Sequence, residues 1–331
     1  MAKTATALMA QDEAGLAARA AWLHFVGGLT QGEVAERLGL SATRAHRAIA
    51  KAQAMGLVHV WVDPRATGCV ELENRLIARF GLSTCRVAAE LPEPGPLPLR
   101  ALGAIGGDWL GSVLDRGRHE VIGISHGRTL AAAVEAMRPR EESRSAFVSL
   151  LGGLTRSLAA NPYDVIHRLA QKSGAEAYLM PAPLFTDTAA DKAMLLSQSL
   201  LRDVLERMRA ASLAIVGVGE LESSQGIAAL MGEDAASIDA LRAAGARAEI
   251  LGQFLNAEGA VMATPFDGRA MALPLDELRG REVVAIAGGA SKASAIQAAL
   301  KSGILTGLII DEATARGLVG APHDADVVAA E

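Results

Sequence analysis

Residues Thr30 to Gln53, TQGEVAERLGLSATRAHRAIAKAQ, decide how the front of this chain is built. Thr30 with Glu33 three residues on forms a capping box: the hydroxyl accepts from the Glu33 amide while the carboxylate reaches back to the Thr30 amide, so a helix begins there. Val34, Ala35 and Leu38 then share one face at helical spacing, and Gly39 supplies the left-handed residue that ends the helix. Leu40 fills the corner. Ser41 caps a second helix that turns Ala45, Ala48 and Ile49 inward and Thr43, Arg44, His46, Arg47 and Lys51 outward. That layout is a helix-turn-helix, whose second helix enters the DNA major groove. Any two amphipathic helices joined by glycine share part of the pattern. Three features favour the DNA-reading version: a short turn, an exposed face with cations and no acid, and a preceding apolar helix over roughly Glu13 to Val26, with Leu16, Ala20, Leu23 and Phe25 or Val26 inward. Ser41, Thr43, Arg44 and His46 lie where base edges would be, whereas Thr30, Gln31, Arg47 and Lys51 suit phosphates. Leu57 to Val62, LVHVWV, reads as a short strand and a candidate wing.

The chain has 331 residues, enough for two domains and a substantial core. Half of it is hydrophobic but only 3% is aromatic, so Ala, Leu, Ile and Val must fill the core, and a surface that stacks single-stranded bases is excluded. Net charge is −5, yet residues 1–62 hold six Lys/Arg against four Asp/Glu, which places the small cationic excess with the helix-turn-helix. So modest an excess implies DNA affinity that depends on two or more copies of the head. Cys69 and Cys85 lack metal-ligand spacing and cannot make a secreted disulfide scaffold, which points to a reducing cytoplasm. No stretch approaches the roughly 18 uninterrupted apolar residues of a membrane span, and MAKTATALMAQDEAG lacks the apolar run of a signal peptide.

DPRATG, from Asp63 to Gly68, is rich in turn formers and marks a boundary. Three parts are expected: a head over 1–62, a connector over 63–80 built on the amphipathic VELENRLIARF, and a body over 81–331. Within the body, apolar strand-like runs at Val121–Ile124, Phe147–Leu151, Tyr178–Met180, Leu213–Val216, Val283–Ala287 and Gly307–Ile310 alternate with helical stretches. The helices are expected at Leu99–Arg116, Arg128–Met137, Pro162–Ser173, Asp191–Ala210, Ala235–Ala244 and Ser291–Lys301. Such alternation implies right-handed crossovers and an α/β fold with a doubly wound, mostly parallel sheet. Val261 to Leu273 interrupts it, and Asp267-Gly268 at its middle suggests a hairpin at the sheet edge.

In such sheets ligands sit at the carboxyl ends of the strands. Four glycine-bearing turns lie there: Gly123-Ile-Ser125-His126-Gly127-Arg128-Thr129, Leu151-Gly152-Gly153-Leu154, Gly217-Val-Gly219, and Gly288-Gly-Ala-Ser-Lys292. Glycines let backbone approach a ligand, helix N-termini offer unpaired amides, and Ser125, Arg128, Thr129 and Lys292 add hydroxyls and cations, which suits a small anionic polyol. Strand-to-helix turns need glycine and caps in any case, so the set argues more strongly than any member.

Other chemistries compete for the same residues. Gly123 to Gly127 matches the G-x-S-x-G elbow of a serine hydrolase, with Asp311 and His323 downstream in triad order, but no HGGG-type oxyanion loop accompanies it. Gly217-Val-Gly219 begins a dinucleotide fingerprint that Glu222 breaks at the third glycine. The seven His are scattered singly, so no metal site and no cofactor is expected. A sugar-phosphate-processing enzyme with a fused head is the other enzyme reading, and His126 is the one acid or base candidate among the loops.

The ordered segments LTQGEVAERLGLSATRAHRAIAKAQAMGLVHV, ELENRLIARFGL, VIGISHGRTLAAAV, VSLLGG, PAPL, AIVGVG and AGGASKASAIQAALKSGILTGLIIDEATARGLV, spread over nearly the whole chain, resemble the SorC family of bacterial sugar-responsive transcriptional regulators. The resemblance implies a body similar to sugar-phosphate isomerases that has lost catalysis. It also implies binding of double-stranded operator DNA and of a phosphorylated sugar or free polyol as effector, within a homo-oligomer, tetramer or dimer. By the same resemblance Ser125, Gly127, Arg128 and Thr129 would hold a phosphate or terminal hydroxyls, Gly152 and Gly153 would line the floor, Lys292 would meet the anion and Asp191 a hydroxyl. His126 stands where the family usually has Trp, and Asn256 where Asp is common, which implies a smaller or neutral ligand.

Overall fold

The computed structural model describes residues 13–58, 69–140, 142–153, 165–221 and 235–320. The chain divides into two compact units, Met1–Asp63 and Pro64–Glu331.

In the first unit, helix α1 runs over 13–21 and continues into a π turn at Trp22–Val26, closed by the Gly27 amide on the Trp22 carbonyl at 2.9 Å. The wider turn rotates the end of the helix. Leu23 therefore points inward, but Phe25 and Val26, both expected as candidates for the inner face, are 41% and 68% exposed. Helix α2 (Gln31–Leu38) opens with the complete Thr30–Glu33 capping box and ends on Gly39 at φ 64°. Helix α3 (Ala42–Ala54) is capped by Ser41, whose hydroxyl accepts from the Arg44 amide at 3.3 Å. Ala20, Leu23, Val34, Ala35, Ala45, Ala48 and Ile49 form the core, with Leu16, Leu29, Leu38 and Leu40 packed at its rim. With Ala at so many core positions the helices can approach closely, so each methyl counts. Leu57 and Val58 are not in a strand, and the rest of the candidate wing lies outside the described residues.

The second unit is built on a seven-stranded sheet of β1 (Thr84–Ala88), β2 (Val121–Ile124), β3 (Ala146–Gly153), β4 (Ala177–Pro183), β5 (Leu213–Val216), β9 (Glu282–Ile286) and β10 (Gly307–Asp311). Its order is β1-β10-β9-β5-β2-β3-β4, every neighbouring pair parallel. This is the expected doubly wound α/β architecture. From β2 the chain winds outward through β3 to β4, then returns to place β5 on the other side of β2, so the winding reverses between β2 and β5.

Alternate residues serve opposite faces. Ile122, Ile124, Leu213, Ile215, Val284 and Ile286 pack under helices α5 (Leu99–Arg116), α6 (Arg128–Ala136) and α7 (Ile166–Ser173). Val148, Leu150, Ala214, Val216, Val283 and Ala285 pack on the other face. The helix expected as a connector, α4 (Val70–Phe80), joins that second core through Leu72 and Leu76, and Arg75 and Arg79 donate to the Val319 carbonyl at 3.4 and 3.3 Å.

Several elements differ from expectation. The stretch expected as one helix over Asp191–Ala210 is two, α8 (Ala189–Leu196) and α9 (Ser199–Ala210): Ser197 Oγ donates to the Met194 carbonyl at 2.6 Å and Gln198 turns extended, at ψ 132°. Asp267-Gly268 does make a tight turn, with the Thr264 amide on Asp267 Oδ2 at 3.0 Å and Gly268 at φ 73°. Its arms, however, do not pair with each other; Val261, Ala270 and Ala272 bridge instead to Leu255, Phe185 and Leu151. A small antiparallel sheet of β6 (Gly219–Glu220), β7 (Ala246–Ile250) and β8 (Gln253–Asn256), the edge strand β1, and a helix over Glu312–Val319 were not expected.

Candidate functional site

Where β2 and β5 end, side by side, the loops after them are laced together. The Ser125 amide donates to the Ile215 carbonyl at 2.9 Å, the Gly217 amide donates to Ser125 Oγ at 3.1 Å, and Ser125 Oγ donates to the His126 carbonyl at 3.3 Å. Thr129, in the first turn of α6, donates from its buried hydroxyl to the Ile286 carbonyl at the end of β9, at 2.7 Å. Lys292, in the turn after β9, donates to the Val218 carbonyl at 2.8 Å. Three of the four glycine-bearing loops thus meet at the reversal point, where open α/β sheets take ligands.

Two acids complete the cluster, and neither was among the expected residues. Glu220 and Glu249 come from adjacent strands of the small sheet and are 6% and 4% exposed. A Cβ on Gly219 would strike the Glu249 carboxylate, which is why glycine stands there. Burial pushes Glu249 up to about 7, opposed by the Gly252 amide and by Lys292. Lys292 is lowered by burial first and by the nearby Arg128 second, while Glu220 and Glu249 pull the other way. Lys292, itself half-buried, thus has one cation and two buried acids near it. Such a set can accept from and donate to hydroxyls, and its cations can also meet an anion.

The remaining expected residues have local duties. Gly152 lets β3 pass close to β4, since a Cβ would lie 2.5 Å from the Ala182 carbonyl oxygen; Gly153 accepts at its carbonyl from the Leu184 amide at 2.8 Å. Asp191 closes a capping box at α8, taking the Thr188 amide and hydroxyl on one oxygen at 3.0 and 2.7 Å. Among the described residues no hydrogen bond ties Gly152, Gly153 or Asp191 to the cluster. Asn256 is also occupied: Oδ1 accepts from the Glu258 and Ala260 amides at 3.1 and 2.9 Å.

The acid of the hydrolase pattern has another duty. Asp311 is buried as the cap of the helix over Glu312–Val319, and it accepts from the Gly289 amide and from Thr314. His323 lies outside the described residues.

In the head, Thr30, Gln31, Ser41, Thr43, Arg44, His46, Arg47 and Lys51 are all exposed. The α3 face is less purely cationic than its sequence suggests. Lys51 forms an ion pair with Glu13 of α1, which holds that carboxylate below its ordinary range, and His46 Nδ1 meets Gln31 Oε1 at 3.1 Å. Tertiary packing brings in the acid that the local sequence lacks.

A helix-turn-helix head followed by a doubly wound body with a polar cluster at its winding reversal defines a ligand-responsive DNA-binding regulator. Residues 20–65 match the MarR family, and residues 64–320 match the family described as "Putative sugar-binding domain". The chain is 47% identical over 315 residues to the erythritol catabolism regulatory protein EryD of Brucella abortus (strain 2308), covering 95% of this chain and 99% of that one. It is 32% identical to the transcriptional regulator LsrR of Enterobacter sp. (strain 638), covering 94% of each. The fold is that of the full-length sorbitol operon regulator SorC from Klebsiella pneumoniae, with TM-score 0.69 at 24% identity over 93% of this chain and all of that one. A DeoR family transcriptional regulator from Listeria monocytogenes gives TM-score 0.68 at 25% identity over 76% of this chain and 99% of that one. The chain belongs to the SorC family of bacterial sugar-responsive transcriptional regulators.

Proposed function

We propose that this regulator controls an operon for polyol catabolism and that its effector is a four-carbon polyol such as erythritol, or the phosphate of one, held by Ser125, Arg128, Gly217, Gly219, Glu220, Glu249 and Lys292. The observation that carries this reading is the gathering of Lys292, with Arg128 near it, and of two buried acids, Glu220 and Glu249, at one place. The acids can accept from or donate to a row of hydroxyls, and the cations can donate to hydroxyls or to a phosphate. End-to-end similarity to an erythritol regulator supports the same class.

The head, residues 1–62, would read double-stranded operator DNA through Ser41, Thr43, Arg44 and His46, with Thr30, Gln31, Arg47 and Lys51 on phosphates. The segment over 63–80 would serve as the connector to the body over 81–331. Effector and operator each prefer one arrangement of paired heads in a homo-oligomer, tetramer or dimer, so occupancy of the crevice changes DNA affinity by a coupling free energy of about 1–3 kcal/mol. No cofactor, metal or turnover enters this scheme. No described helix is long and apolar enough to cross a membrane, in keeping with action in the cytoplasm.

The test is a thermal-shift series of the full chain with erythritol, erythritol phosphate, pentitols and hexose phosphates. Stabilisation by the four-carbon compounds alone is expected, about 2.7 kcal/mol at a hundred times the dissociation constant. A response confined to hexose phosphates would overturn the proposed effector.

A further inference from the structure

At the opposite pole of the sheet from the crevice, β1, the start of β9, α5 and the turn that leads into β2 line a cleft of about 160 Å³. Thr84 and Arg86 enter it as alternate residues of β1. Trp109, Val113 and Arg116 enter from successive turns of one face of α5, and Arg118 and His119 come from the turn that follows. Glu282 is the sole acid in the lining, and it faces His119 Nε2 at 3.6 Å, while His119 Nδ1 meets Ser212 Oγ at 2.9 Å. The next acid along α5, Asp115, is turned away into a salt bridge with Arg140 at 2.9 Å. Arg116 reaches Ser112 Oγ at 3.2 Å, and the side chains of Arg86 and Arg118 have no hydrogen bond or ion pair among the described residues.

Three guanidinium groups around one concavity, with Glu282 as the one acid of its lining, make a locally positive site in a chain of net charge −5, and such a site attracts an anion. The space is too small for a drug-sized ligand and fits a phosphoryl group with a few carbons attached. Arginine forks match phosphate oxygens in bidentate geometry, and the indole of Trp109, 6% exposed, gives the cleft an apolar wall.

We propose that this cleft is a second small-molecule site, for a phosphate monoester, with Arg86 and Arg118 as its anion ligands and Arg116 at its rim. It is separate from the effector crevice and does not depend on what that crevice binds. Two ligands of one chain at opposite ends of one sheet would let the regulator answer two metabolites.

The test is titration calorimetry of the full-length protein with glycerol 3-phosphate, with glycerol as the uncharged control, at constant ionic strength in chloride. The proteins compared are the wild type, an Arg86→Gln/Arg118→Gln double variant and Lys292→Met. Both arginines are exposed, so the double variant keeps its fold, which its melting curve checks. A binding event that survives Lys292→Met and weakens at least about tenfold in the double variant is expected. The proposal is overturned if the wild type shows no event, or if the event survives in the double variant. It is also overturned if the double variant instead changes the sedimentation coefficient while glycerol 3-phosphate stays silent, because the arginines then hold a carboxylate of a second copy.

Discussion

The Gly217 amide donates to Ser125 Oγ across 3.1 Å, and this one bond ties the loop after β5 to the loop after β2 where the sheet reverses its winding. Ser125 is 5% exposed, so this bond is made away from water and holds the two loops together.

Ser125→Ala removes the acceptor and leaves the Gly217 amide unpaired. A loss of about 1–3 kcal/mol is expected in urea unfolding, with an unchanged m-value. Unchanged stability would show that the amide finds another acceptor and that the two loops are not held together in this way.

Glu249 gives the body a defined pH response. Its folded-state value of about 7 stands above the ordinary 4.5, so the neutral acid is the form the folded body prefers. The resulting stabilisation is full below about pH 4.5, shrinks as pH rises, and is gone above about pH 7, a difference of about 3 kcal/mol for this group alone. Glu249→Gln keeps a neutral group and should flatten that dependence in urea midpoints between about pH 5 and about pH 8. Parallel curves for variant and wild type would assign the pH response to other groups.

Arg44→Ala should abolish operator discrimination, removing about 1–3 kcal/mol of preference for the correct base, while melting temperature and effector binding stay as in the wild type. Gel shifts across a series of mutated operators measure it. If the sequence preference is retained, α3 is not the reading helix.

Lys292→Met preserves the buried alkyl stem and removes the charge that sits between Glu220, Glu249 and Arg128. DNA binding is expected to persist and its response to effector to disappear, at least about tenfold in the concentration needed for release. Wild-type release by the variant would move the effector elsewhere.

Lys51 is paired with Glu13 in the head, so Glu13→Gln should free a cation for phosphate and steepen the dependence of DNA affinity on salt by up to about one ion. An unaltered slope in a salt titration would leave Lys51 outside the DNA contact.

The head was legible because its signals are local: Thr30 and Glu33 are three residues apart, Gly39 follows the last helical turn, and the apolar spacing is helical. The body's central strands were legible for a similar reason, since LAIV and GLIID are apolar on both faces. Strand β1, TCRVA, carries Arg86 at its centre and lies at the sheet edge, so it lacked that signature. Strand β7, ARAEI, hid because two of its five residues are charged and a charge is read as solvent-facing, and the buried Glu249 went with it. Phe25 and Val26 turned outward because a π turn shifts phase in a way that side-chain spacing does not encode.

The sequence by itself determined the kind of molecule: a capped helical pair with a cationic face, then alternating strands and helices with glycine turns at the carboxyl ends. Capping, periodicity and turn chemistry act over a few residues and can be read in one dimension. Only the tertiary structure decided which groups stand together. It placed Ser125 against Gly217, set Glu220 and Glu249 near Lys292, brought the Gly289 amide onto Asp311, paired Lys51 with Glu13, and gathered three arginines at the far pole. Those neighbours are up to 92 positions apart in the chain, and strand order and packing, which no local pattern specifies, bring them within reach.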